Sequence, residues 1–199
     1  MTTTHSRKAD HPVHPLFLDR WSPRAFTGEA ISGPDLATIF EAARWAPSSY
    51  NSQPWRFLYA RRDTPQWPTF LGLLNDFNRS WAQQAAALII LVSRSTMLPP
   101  GADKEIPSYS HSLDAGAAWS NLALQATLLG WHCHAMVGFD IAKAFTVLNV
   151  PDGYRVEVAI AIGRRGDPAL LPEALAAREQ PNDRNPITDF TFEGGFPAR

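Results

Sequence analysis

Residues 111–131, HSLDAGAAWSNLALQATLLGW, constrain the fold of this chain more than any other stretch. The segment is of helical length, and Leu113, Ala117, Leu122, Leu124, Leu128 and Leu129 spread over much of the circumference of a helix. Ala115, Gly116, Ala118 and Ala123 add small faces for close approach. A helix that is apolar nearly all round must be covered on several sides. In a chain of 199 residues, a subunit interface is one way to cover it. Gly130 is placed to stop the helix at its C-terminus.

The remaining elements are read around that helix. PLFLDRW is a short helix candidate. SGPDLATIFEAARWA is a stronger one: Ser32 is an N-cap, Pro34 sits in the first turn, and Asp35 has capping-box spacing. Leu36, Ile39, Phe40 and Ala43 form its apolar stripe, and the helix ends before Pro47. WRFLYAR is a strand. PTFLGLLNDFN is expected to be helical, with SWAQQAA following it. ALIILVS, a continuous branched run, is a central strand. LPPGADKEIPSYS is expected to be a long flexible loop of the kind that often serves function. HCHAMVGF and RVEVAIAIG are two further strands, and the Pro-rich tail from Asp167 is irregular enough to wrap a partner. The order α, α, β, α, β, α, β, α, β with a tail predicts an α+β fold. It is an α/β sandwich rather than a βαβ repeat. No repeat or linker divides the chain, so residues 1–14 are expected to be a flexible N-terminal segment and residues 15–199 a single domain with a C-terminal tail.

Composition excludes several classes of function. A formal net charge of −1 offers no field to recruit nucleic acid or an acidic membrane surface. No apolar run reaches the roughly 18–20 residues that span a bilayer, and the N-terminus lacks the apolar core of a secretory signal. The single cysteine, Cys133, rules out an intrachain disulfide and suits a reducing compartment, so a cytoplasmic protein is expected.

Several standard motifs are missing: G-x-G-x-x-G after a strand, the P-loop, H-E-x-x-H and G-x-S-x-G. His132 and His134 share a face of one predicted strand. With no further ligands in view they read as half-buried histidines rather than a metal site, and Cys133 on the other face reads as a core residue. Ser108, His111 and Asp114 lack the nucleophile elbow that a catalytic triad needs.

Two stretches carry more chemistry. In RWSPRAF, alternation in an extended segment sends Arg20, Ser22 and Arg24 the same way. Two guanidinium forks and a hydroxyl suit a phosphate, although such triplets are more often solvated surface. In APSSYNSQPW, prolines fence a polar loop into few shapes, and its amides and hydroxyls suit a polar heteroaromatic edge. Taken alone it is a Ser/Asn-rich turn.

Together these motifs resemble the nitroreductase family of FMN-dependent NAD(P)H oxidoreductases. The family signature R-x-S-x-[RK]-x-F, followed some two dozen residues later by A-P-S-x-x-N-x-Q-P-W, is matched by RWSPRAF and APSSYNSQPW. DAGAAWSNLALQATLLG, MVGF, AIG and RNPI extend the likeness from about Pro15 to Phe190. The resemblance implies a mostly antiparallel sheet flanked by helices, and a homodimer built on the long helix with FMN at the subunit interface. Arg20, Trp21, Ser22 and Arg24, joined by Arg184, are expected at the flavin phosphate and ribityl chain. Pro47, Ser48, Ser49, Asn51 and Gln53 are expected to approach the flavin from the other subunit. Asn78 and the backbone of Val137 and Gly138 are expected at the isoalloxazine edge. Trp81 stands where some members carry lysine, and MVGF lacks a glutamate found before the glycine in others. Tyr109 and His111 are candidates for a lid or proton source near the 98–109 loop. No side chain is assigned as catalytic, because flavin N5 carries the chemistry. The implied reaction is ping-pong transfer from NADH or NADPH through the flavin to a nitroaromatic, quinone or similar acceptor. Reduction of an aldehyde or enone, or flavin storage without catalysis, are the competing expectations.

Overall fold

The computed structural model describes residues 7–197. Its centre is a four-stranded antiparallel sheet. In chain order the strands are β1 (Trp55–Arg61), β2 (Ala87–Arg94), β5 (His132–Met136) and β6 (Tyr154–Gly163), and they lie side by side as β1-β2-β6-β5. The apolar run of β2 is central, as its composition requires. Period-2 geometry sends Ile89 and Leu91 to one face and Leu88, Ile90 and Val92 to the other, and all five are buried. Each such side chain contributes about 1.5–3 kcal/mol relative to exposure, so the two-sided core outweighs any single helix contact.

Helices α2 (Gly33–Arg44) and α5 (His111–Leu128) cover one face. Helices α3 (Trp67–Leu71), α4 (Asp76–Ala82) and α6 (Ile141–Val147) cover the other. Helix α1 (Leu16–Asp19) precedes them, and α7 (Glu173–Ala176) lies in the tail. The start of α2 is as its sequence dictates: Ser32 Oγ accepts the Asp35 N–H at 3.0 Å, and Leu36, Ile39 and Ala43 are buried.

Two expectations are corrected. PTFLGLLNDFN is not one helix: α3 stops at Leu71, and Asn75 opens α4 by accepting the Asn78 N–H at 2.9 Å. The local cap outcompetes helix continuation there. The 98–109 segment is not wholly loop, because β3 (Thr96–Met97) and β4 (Ile106–Pro107) pair as a small ribbon. Within one chain, helix α5 is covered on some sides and open on another. Asp114, Ala115, Ala118, Leu122, Ala123 and Ala126 are buried, while Leu113, Gly116, Ser120 and Leu128 form an open stripe. Of the predicted N-terminal segment, residues 1–6 lie outside the described residues. Residues 8–14 are exposed, and Arg7 is anchored by hydrogen bonds to the carbonyls of Leu18, Arg20 and Asn182.

Candidate functional site

The segment after α1 runs extended toward the end of β6. It pairs there through Phe26 and Arg165, with the Thr27 N–H on the Arg164 carbonyl and the Gly166 N–H on the Ala25 carbonyl. That course brings Arg20, Trp21, Ser22 and Arg24 to one side of a cavity of about 290 Å³. Arg184 lines the same cavity from the tail. So do Arg7, His134, Arg178, Gln180 and Asn182, which the sequence reading did not select. Arg178 and Asn182 precede Arg184 in REQPNDR, a polar cluster that was visible in principle. His134 was noted as a strand histidine, whereas Arg7 carried no local signal.

The charges around this cavity are crowded and of one sign on the side chains of Arg7, Arg20 and Arg184. Burial, then the like charge of Arg184, pushes the Arg20 guanidinium below its ordinary range, and burial followed by Arg184 and Arg20 does the same to Arg7. Arg20 Nη1 donates to Ser22 Oγ at 3.2 Å, and the buried Arg24 Nε has no protein partner. The Glu179 carboxylate stands 3.9 Å from Arg24 Nη1. Cations crowded this way favour an added anion, since a phosphate accepts several charge-assisted bonds at once.

His134 connects this cavity to a second group. Its ring Nδ1–H donates to the Pro23 carbonyl at 3.0 Å, and its ring lies 4.7 Å from that of Trp81. Trp81 is therefore a core residue between His134 and Phe26, not a surface side chain. One turn earlier on α4, the Asn78 side-chain amide donates to the Gly138 carbonyl at 3.0 Å, and the Asn75 N–H donates to the same oxygen at 3.1 Å. Val137 beside it is largely exposed. At about 3.3 Å per residue, Gly138 lies roughly 13 Å along the chain from His134. The arginine cavity and the Asn78–Gly138 pair thus belong to one strip beside β5.

Pro47–Gln53 is not part of that strip. It leads into β1, the edge strand opposite β5, so at least three strand spacings of about 4.8 Å intervene. It also enters at the sheet end where Trp55 pairs with Ser93, whereas His132 pairs with Gly163 at the other end. The loop is held tightly nonetheless. Tyr50, Asn51 and Gln53 adopt φ of 52°, 54° and 47°, a left-handed conformation that is rare outside glycine. Ser48 Oγ accepts the Gln53 N–H at 3.0 Å, and the Ser49 N–H donates to Asp114 Oδ2 at 3.2 Å. The strain and its fastening mark a shaped surface rather than an ordinary turn.

Tyr109 is fully exposed, but His111 is not on the loop. It opens α5, and its Nδ1 lies 2.7 Å from the buried Ser93 hydroxyl, which donates to Glu157. Glu157 is the extra residue of a β-bulge, where Leu91 faces Val158 and Val92 faces Val156, and it also accepts from Ser112. Asp114 serves Ser49 and Ser110 instead, so Ser108, His111 and Asp114 do not form a triad. Cys133 is buried, and burial pushes its thiol up. Among the described residues no group of three or more His, Cys, Asp or Glu is placed to hold a metal, and no helix is long and apolar enough to cross a membrane.

Comparison with known proteins places this geometry. A crystal structure of an oxidoreductase containing FMN matches with a TM-score of 0.94 and 47% identity, covering 100% of both chains. An uncharacterised 15.4 kDa protein of Mycolicibacterium smegmatis is 35% identical over 127 residues, 63% of this chain and 81% of that one. The oxygen-insensitive NADPH nitroreductase of Helicobacter acinonychis is 25% identical over 182 residues, 75% of this chain and 86% of that one. The nitroreductase family model matches residues 18–64 and 62–164. With these motifs on an antiparallel sheet flanked by helices, the chain belongs to the nitroreductase family.

Proposed function

We propose that this chain is an FMN-dependent oxidoreductase that takes electrons from NADH or NADPH and delivers them to a small oxidised acceptor such as a nitroaromatic or a quinone. The observation that carries the reading is the convergence of Arg20, Ser22, Arg24 and Arg184 on one cavity, where burial and the like charge of Arg184 push the Arg20 guanidinium below its ordinary range. The FMN named for the 47%-identical structure and the NADPH named for the Helicobacter enzyme support it.

The residues present fit the cofactor. Arg20, Arg24 and Arg184, with Arg178 beside them, would hold the phosphate, and the orphaned Arg24 Nε has a partner to gain. Asn78 and the backbone at Val137 and Gly138 would meet the polar edge of the ring system. Bound FMN would supply the two-electron carrier between nicotinamide and acceptor. The protein's part is to fix orientation and charge around it. Tyr109, fully exposed at the start of α5, is the remaining lid candidate.

The reading includes a homodimer. In one chain Pro47, Ser48, Ser49, Asn51 and Gln53 stand across the sheet from the arginine cavity, and a second copy would bring its loop to the first copy's site. The open stripe of α5, with Leu113 and Leu128, is the surface that such a pairing would cover. The buried single cysteine fits a cytoplasmic setting.

The test is the purified full-length chain. A flavin absorption band, release of FMN on denaturation and sedimentation as a dimer are expected, with bleaching of the flavin by NADH or NADPH. Absence of flavin, together with no uptake of added FMN, would refute the reading. Bound flavin that neither nicotinamide reduces would replace the enzyme assignment with storage or another donor.

A further inference from the structure

The tail residue Glu179 is placed where simple charge complementarity would exclude it. It is a carboxylate between Arg178 and Gln180 of the arginine-lined cavity, and it lines the adjoining cavity with Trp21, Arg165 and Pro181, its side chain 1% exposed. A negative charge there opposes an incoming anion, so a positional reason must hold it. The hydrogen bonds supply one. Glu179 Oε1 accepts the backbone N–H of Arg24 at 2.6 Å and of Ala25 at 2.8 Å, across more than 150 residues of sequence. Ala25 is buried, so its amide has little access to water as a substitute. Glu179 Oε2 is buried without a hydrogen-bond partner and faces Arg24 Nη1 at 3.9 Å.

The same residue anchors the other wall of the cavity. It follows α7, whose Leu175 is buried in the core beneath, and its neighbours Arg178, Gln180 and Asn182 line the cavity together with Arg184. One carboxylate thereby joins the segment carrying Arg20, Ser22 and Arg24 to the tail carrying Arg178 and Arg184. Without it, the Arg24 and Ala25 amides lose their acceptor, and the two cationic walls keep only the link through Arg7, which donates to the Arg20 and Asn182 carbonyls.

We propose that Glu179 is a positioning residue for anion recognition, which presets the two arginine-bearing segments for the flavin phosphate before the cofactor arrives. This rests on the FMN assignment above, and it predicts an effect specific to the phosphate end of the ligand. The full-length chain, stripped of flavin, is titrated with FMN and with riboflavin, which lacks the phosphate, by quenching of flavin fluorescence. The native protein is expected to prefer FMN. Glu179→Ala should lower that preference at least tenfold while changing riboflavin affinity less than twofold. Glu179→Gln, which retains a carbonyl acceptor for the two amides, should recover most of it. Glu179→Asp withdraws the carboxylate by one methylene and should give an intermediate loss, which keeps the test decisive if the alanine variant does not fold. An unchanged FMN-to-riboflavin ratio in the variants, or a parallel fall in both affinities, would overturn the proposal. A native protein that binds both flavins equally would instead overturn the phosphate assignment on which it rests.

Discussion

Asn78 donates its side-chain amide to the carbonyl of Gly138 across sixty residues of sequence, and Asn75 donates its backbone N–H to the same oxygen. The contact leaves no room for a side chain at Gly138: an added Cβ would stand 2.6 Å from Asn75 Nδ2 and closer still to Asn78 Nδ2. Gly138→Ala is therefore expected to displace Asn78 and to cost about 1–3 kcal/mol. Thermal unfolding reads the cost. Combining it with Asn78→Ser should give less than the sum of the two single effects, because the substitutions share one contact.

The arginine cavity predicts a charge effect on cofactor affinity. Each charge-assisted hydrogen bond contributes about 1.5–3 kcal/mol, so Arg20→Ala with Arg24→Ala should weaken FMN binding by about 100-fold or more. Fluorescence titration checks this. Undiminished FMN retention would remove the phosphate assignment.

Asp114 predicts a loop effect at the opposite edge of the sheet. Its buried carboxylate takes the Ser49 N–H and the Ser110 hydroxyl beside three left-handed residues. Asp114→Ala should lower stability by about 1–3 kcal/mol through the unpaired amide. Asp114→Asn, which keeps one acceptor oxygen, should lose less. Urea denaturation of the two variants gives the comparison, and equal stability of native and alanine forms would contradict the fastening role.

Acid should weaken the fold through β5. Burial, aided by nearby arginines, lowers His132 to about 4; burial also lowers His134 to about 4, against the opposing bond to Pro23. Unfolded histidines titrate near 6.5. Between those values the unfolded chain takes up protons that the folded chain does not, so stability is full above about pH 6.5 and falls as pH drops toward 4. The loss is at most about 3.5 kcal/mol for each histidine over the whole window. Denaturation midpoints at pH 7, 5.5 and 4.5 check this, and His134→Gln should flatten the slope.

Much of the fold was legible because its causes are local. Ser32 caps α2 through a bond to a residue three positions on, and the period of Leu36, Ile39 and Ala43 names its buried face. The branched run Ala87–Ser93 declared a central strand by having no polar face to show water. At the site, alternation aligned Arg20, Ser22 and Arg24, and two prolines announced a stiff loop. The break between α3 and α4 was less legible, since Asn75 as a cap competes with helix continuation on nearly equal terms.

By itself, then, the sequence determined the two periodicities, the caps, the family motifs and the class of chemistry, all of which are written within a few turns of chain. Tertiary structure alone decided the rest. It brought Arg7, Arg178 and His134 to the arginine cavity, turned Trp81 into core, drew His111 away from the loop onto Ser93 at the Glu157 bulge, and set Pro47–Gln53 across the sheet from the cavity. The physical reason is range. Backbone propensity and side-chain period act between near neighbours, whereas the meeting of Arg24 with Glu179 depends on packing both faces of the sheet before the tail can return.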